Sequence, residues 1–151
     1  MKLLLIEPSQ LRCRISNLLR LGGIEDVTEA TSSTEALRLL QKQVFDLLLI
    51  GPTVKDPSGL ELLRRVRQME GHEDTAALIF LDMPTDELVL EAAELDVQGI
   101  IVVPFEDDYL LYRVRETLRK LRQRRQQAEK PAYRKRLHLI TSSSPGKSST
   151  T

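Results

Sequence analysis

Short apolar runs alternate along this chain with longer stretches whose apolar positions recur at helical spacing. Lys2-Leu3-Leu4-Leu5-Ile6 has strand length and no polar alternation, the pattern of a strand covered on both faces. Ser9 then reads as a helix cap, and Leu11, Ile15, Leu18 and Leu19 form one stripe that stops at Gly22-Gly23. Val27–Ala30 predicts a second strand, and Ser33 or Thr34 is placed to cap a helix that turns Ala36, Leu37 and Leu40 inward. Residues 45–50 predict a third strand, followed by a loop with Gly51, Pro52, Pro57 and Gly59. Ser58 opens the next helix, with Leu60, Leu63 and Val66 on its core face. Past Gly71-His72, Ala76–Leu81 predicts a fourth strand; Pro84 and Thr85 then start a helix holding Leu88, Val89, Ala92 and Ala93. Residues 99–103 predict a fifth strand, stopped by Pro104. A last helix runs from about Glu106 towards Glu129 on Leu110, Leu111, Val114, Leu118 and Leu121, and Pro131 breaks it.

Five apolar strands alternating with five amphipathic helices predict an α/β fold: a (βα)5 doubly wound, five-stranded parallel sheet with helices on both faces. The expected domain is residues 1–122, with a basic helix extension and a Ser/Thr-rich tail over 123–151. Function in such folds collects at the carboxyl ends of the strands. Those ends are Glu7-Pro8, Gly51-Pro52, Leu81-Asp82 and Val103-Pro104.

Composition narrows the classes. One cysteine, Cys13, excludes an intramolecular disulfide and fits a reducing compartment; packing in or beside a helix is expected of it rather than reactivity. Aromatics at 4% and no Trp argue against a base-stacking platform. Only four apolar residues separate Met1-Lys2 from Glu7, which is no secretory signal, and no run nears the ~18 apolar residues of a membrane span. A cytoplasmic protein is expected. His72 and His138 have no ligand-spaced neighbours, and no metal or cofactor is expected.

The ordered stretches Leu4-Leu5-Ile6-Glu7-Pro8-Ser9, Glu29-Ala30-Thr31, Glu35-Ala36-Leu37, Phe45-Asp46-Leu47-Leu48, Gly59-Leu60-Glu61-Leu62-Leu63, Glu91-Ala92-Ala93 and Gly99-Ile100-Ile101-Val102-Val103-Pro104-Phe105 resemble the receiver domain of response regulators, over roughly residues 2–122. That family is the phospho-acceptor module of two-component signalling, with flavodoxin-like topology. The resemblance implies two acids after the first strand and an acceptor aspartate after the third, together holding Mg²⁺. It also implies a Ser or Thr after the fourth strand, a Lys after the fifth and a reporter aromatic on the fifth. Here the first acid falls on Glu7, the second on Pro8 and the acceptor on Gly51; the hydroxyl falls on Leu81, the lysine on Val103 and the aromatic on Ile100. One carboxylate cannot form the metal site, and glycine cannot be phosphorylated. Asp46 lies too early in the third strand to substitute, and Asp56 and Asp82 read as solvated loop carboxylates.

The implied molecule is a pseudo-receiver with an empty acceptor pocket. It is not an enzyme, and it acts in intracellular signalling by phosphorylation-independent protein contact. Typical receivers dock or dimerise on the fourth helix, fifth strand and fifth helix, here parts of residues 84–94, 99–103 and 107–122. One alternative is an authentic response regulator phosphorylated at a non-standard residue.

Zero net charge conceals a division. Residues 1–118 carry 21 acids and 12 bases; residues 119–151 carry one acid and 10 bases. Arg119, Lys120, Arg122, Arg124, Arg125, Lys130, Arg134, Lys135 and Arg136 crowd one segment. It reads as a solvated helix end, as a dock for an acidic protein surface, or as a contact for nucleic acid or anionic lipid. Beyond it, Thr141-Ser142-Ser143-Ser144-Pro145-Gly146-Lys147-Ser148 resembles an imperfect phosphate-binding loop, with Thr141 where the first Gly belongs. Gly146, Lys147 and Ser148 suggest kinship with pilus-assembly and septum-positioning ATPases of the deviant Walker type. The second alternative is therefore a regulatory N-terminal fragment of such an ATPase.

Overall fold

The computed structural model describes residues 1–129. The elements are β1 (Leu3–Ile6), α1 (Leu11–Leu21), β2 (Val27–Ala30), α2 (Ser33–Lys42), β3 (Leu47–Ile50), α3 (Gly59–Arg67), β4 (Ala76–Leu81), α4 (Asp86–Glu94), β5 (Gly99–Val102) and α5 (Asp107–Glu129). All five strands are parallel, in the order β2-β1-β3-β4-β5. The chain divides into two units between Arg115 and Glu116, and α5 crosses the division.

The central strands explain the topology. Every residue of β1 and β3 is buried, so both sheet faces are covered, as parallel sheets require. Ile6 of β1 pairs with Ile50 of β3, and Ile50 with Ile79 of β4. This register brings Glu7 and Gly51 to the same sheet edge. Leu60, Leu63 and Val66 of α3 join Leu48, Ile50 and Ile79 in the core, as the helical spacing predicted.

Hydroxyl caps start three helices. Ser32, Ser58 and Thr85 accept from the backbone N–H of Glu35, Glu61 and Leu88. Two expected caps are displaced by one position. Ser33 is helical and buried, and its hydroxyl donates to the Pro57 carbonyl at 3.0 Å, leaving the cap to Ser32. The α1 cap is Gln10, without a side-chain cap bond, while the Ser9 hydroxyl accepts the Leu11 N–H at 3.2 Å and itself donates to Glu7. Strand β3 begins at Leu47: the Asp46 carboxylate accepts the Lys2 N–H, and the Asp46 N–H bonds the Lys2 carbonyl at 2.7 Å. Cys13 is exposed on α1 rather than packed.

The opposite sheet edge is held by Arg67. Its guanidinium donates to the carbonyls of Leu95 at 3.0 Å and Thr75 at 2.6 Å, tying the end of α3 to the end of α4 and the approach to β4. Burial pushes this guanidinium below its ordinary pKa, against raising contributions from Asp96 and Asp74.

Candidate functional site

Four strand ends converge at the carboxyl edge. The Gly51 N–H bonds the Ile6 carbonyl at 2.8 Å, and the Val103 N–H bonds the Leu81 carbonyl at 2.9 Å. Glu7 leaves β1 fully buried, at 0% exposure. Its side chain turns over the end of β3. A Cβ placed on Gly51 would lie 2.8 Å from Glu7 Cβ and 2.9 Å from Glu7 Cδ, and would overlap Glu7 Oε1. The expectation of an empty acceptor pocket is therefore corrected: Glu7 fills the space into which a residue 51 side chain would project.

A buried carboxylate needs donors. Four serve Glu7: the N–H groups of Ser9 and Thr53, each at 3.1 Å, and the hydroxyls of Ser9 and Thr53, both in short contact with Oε2. Arg12 adds a bond from its guanidinium to the Glu7 carbonyl at 2.9 Å. The carboxylate thereby ties the loop after β1 to the loop after β3. Between these loops lies a groove of about 500 Å³, lined by Pro8, Ser9, Pro52, Thr53, Val54 and Lys55.

The remaining pocket positions carry no chemistry. Pro8 is exposed, Leu81 and Val103 are half-buried, and Ile100 packs against the core cluster. Asp56 and Asp82 are exposed. Mg²⁺ requires several hard oxygen ligands in near-octahedral order. The residues here do not fit it: both Glu7 oxygens are occupied by protein donors, and Pro8 and Gly51 offer no side-chain oxygen. Among the described residues, no group of three or more His, Cys, Asp or Glu could hold a metal ion.

Sequence reasoning identified Glu7 and Gly51 but missed Ser9 and Thr53 as their companions. The available signal was a hydroxyl residue three positions after each strand end, beside an acid that the fold must bury. Arg119, Lys120, Arg122, Arg124 and Arg125 are exposed on α5, with Arg119 paired to Glu116. Lys130, Arg134, Lys135, Arg136 and the loop-like Gly146, Lys147 and Ser148 lie outside the described residues.

The response regulator receiver domain model matches residues 4–115, and the chain belongs to that family. Chemotaxis protein CheY of Pseudomonas aeruginosa is 34% identical over 106 residues, covering 70% of this chain and 86% of the relative. Chemotaxis protein CheY-3 of Vibrio cholerae is 32% identical over 106 residues, 70% of this chain and 82% of the relative. Among solved structures, chemotaxis response regulator CheY4 of Vibrio cholerae superposes with a TM-score of 0.70 at 26% identity, over 77% of this chain and 97% of that one. A CheY-like receiver from Methanospirillum hungatei has the same fold, with a TM-score of 0.73 at 18% identity over 82% and 97%. The chain is thus a receiver module of response-regulator signal transduction. None of its described helices is long and apolar enough to cross a membrane.

Proposed function

We propose that this chain is a pseudo-receiver: a non-enzymatic, cytoplasmic signalling module that works by protein contact without taking a phosphoryl group. One observation carries the reading. The position from which a receiver's acceptor would reach is a glycine, and the space before it is filled by the Glu7 carboxylate, saturated by Ser9 and Thr53. A phosphoryl donor entering there meets the Glu7 carboxylate and no side-chain acceptor at position 51.

The contact surface is the face of α4, β5 and the first turns of α5. Of the eight large exposed hydrophobic residues described, six come from this region and its entry loop: Met83, Val89, Leu90, Val102, Tyr109 and Tyr112. Such a concentration of apolar surface marks a docking site. Proteins dock there, a second copy of this chain included.

Incubation with acetyl phosphate and Mg²⁺, followed by intact-mass measurement, tests the phosphorylation claim. No mass gain is expected from this chain while a CheY relative treated in parallel is modified. A stoichiometric gain of one phosphoryl group would overturn the proposal in favour of phosphorylation at a non-standard residue.

A further inference from the structure

Beyond Leu118 the last helix changes character. Five of the seven residues from Arg119 to Arg125 are Arg or Lys, and all five are exposed. After Leu121 the described residues 122–128 are all exposed and include no apolar side chain larger than Ala128. No stripe survives there to seat on another helix or to enter a lipid surface, which needs an apolar face.

The angular distribution of charge is the informative feature. At 100° per residue, taking Arg119 as origin, Lys120 lies at about 100°, Arg124 at about 140°, Arg125 at about 240° and Arg122 at about 300°. The cations surround the helix. A flat partner, whether an acidic protein face or a headgroup plane, engages one side and leaves the rest unused. A groove walled by anions on both sides reaches them from every direction, with Arg119 exchanging its Glu116 partner for a phosphate. The major groove of B-form DNA is about 12 Å wide and admits a helix of about 10–12 Å diameter, with phosphates along both rims. Four of the five bases are Arg, whose fork matches phosphate oxygens in pairs. The A-form groove of duplex RNA is too deep and narrow for this, and Tyr133 is the only aromatic residue in 119–151 to stack on an unpaired base.

We infer that residues 119–128 of α5 form a sequence-tolerant DNA-binding helix that lies in the major groove and contacts phosphates on both rims. This inference stands apart from the pocket reading and survives its failure.

Anisotropy of a fluorescein-labelled 24-base-pair duplex of arbitrary sequence, titrated with the full chain from 50 to 300 mM KCl, tests it. About four or five phosphate contacts give a slope of log K against log salt near −4. Arg122→Gln, Arg124→Gln and Arg125→Gln together keep helix propensity, with unchanged circular dichroism as the control. They are expected to flatten the slope by about 3 and to weaken binding at 50 mM at least tenfold. Unlabelled duplex RNA, poly-glutamate and phosphatidylglycerol vesicles at matched charge are expected to compete at least tenfold less well than DNA. Absence of saturable binding at 50 mM, an unchanged slope in the triple variant, or equal competition by any of the three overturns the inference.

Discussion

Adding one methyl group to Gly51 probes the packing at the centre of the site. The three heavy atoms nearest to a Cβ at that position all belong to the Glu7 side chain, and two of them, Cβ and Cδ, lie 2.8 and 2.9 Å away. In the native chain Gly51→Ala must push Glu7 aside. Overpacking of that kind costs about 1–3 kcal/mol, and weakening charged hydrogen bonds from Ser9 and Thr53 adds about 1 kcal/mol or more. The expected loss is about 3 kcal/mol. Replacing Glu7 by glycine removes all three obstructing atoms. In that background Gly51→Ala should be neutral or stabilising by about 0.5 kcal/mol, since it restricts the unfolded chain. Urea unfolding of the four proteins, followed by far-ultraviolet circular dichroism, closes a double-mutant cycle with a coupling of about 3–3.5 kcal/mol. A Gly51→Ala cost that is the same in both backgrounds, within about 0.5 kcal/mol, would refute the occupied-pocket geometry.

Thr53→Val removes one hydroxyl donor to Glu7 while keeping shape; a loss of about 1–2 kcal/mol is expected by urea unfolding, and a neutral result would show that the hydroxyl is dispensable. Arg67→Met strips the carbonyls of Leu95 and Thr75 of their donor and should cost about 2–3 kcal/mol. Burial lowers the Arg67 pKa, so the folded form loses its proton first and the linked change in stability falls in the strongly alkaline range where a guanidinium titrates; the measured cost should therefore be constant from pH 5 to 9. Leu90→Glu with Tyr112→Glu, at sites 64% and 60% exposed, should change stability by less than about 0.5 kcal/mol. Sedimentation velocity then reads the docking face: self-association that survives this pair of substitutions would exclude the face as a dimer contact.

The apolar runs revealed the sheet because a parallel strand buried on both faces leaves an unbroken hydrophobic signature. Ala76–Leu81 and Val27–Ala30 lie where their composition predicted. Helix starts were less legible. Adjacent hydroxyls such as Ser32 and Ser33 are equivalent as letters, and only the Pro57 carbonyl, 24 residues away from Ser33, decides which one caps. The third strand shortened because Asp46 serves the amino end of β1. That Gly51 and Pro8 carry no side-chain oxygen was readable directly. The fate of the vacated volume was not. Glu7 reaches its partner Thr53 across 46 positions, and its occupation of the site depends on the β1–β3 register.

The swap at Glu7 and Gly51 works as a ratchet. An aspartate returned to position 51 alone would collide with a carboxylate already in residence and force two like charges into one buried site with no cation between them. On the proposed pseudo-receiver reading, a side-chain acceptor at position 51 therefore requires Glu7 to be shortened first, a step that on its own sacrifices the bridge between two loops. Any such path crosses a less stable intermediate, which makes the present arrangement of Glu7 and Gly51 a kinetic trap in sequence space.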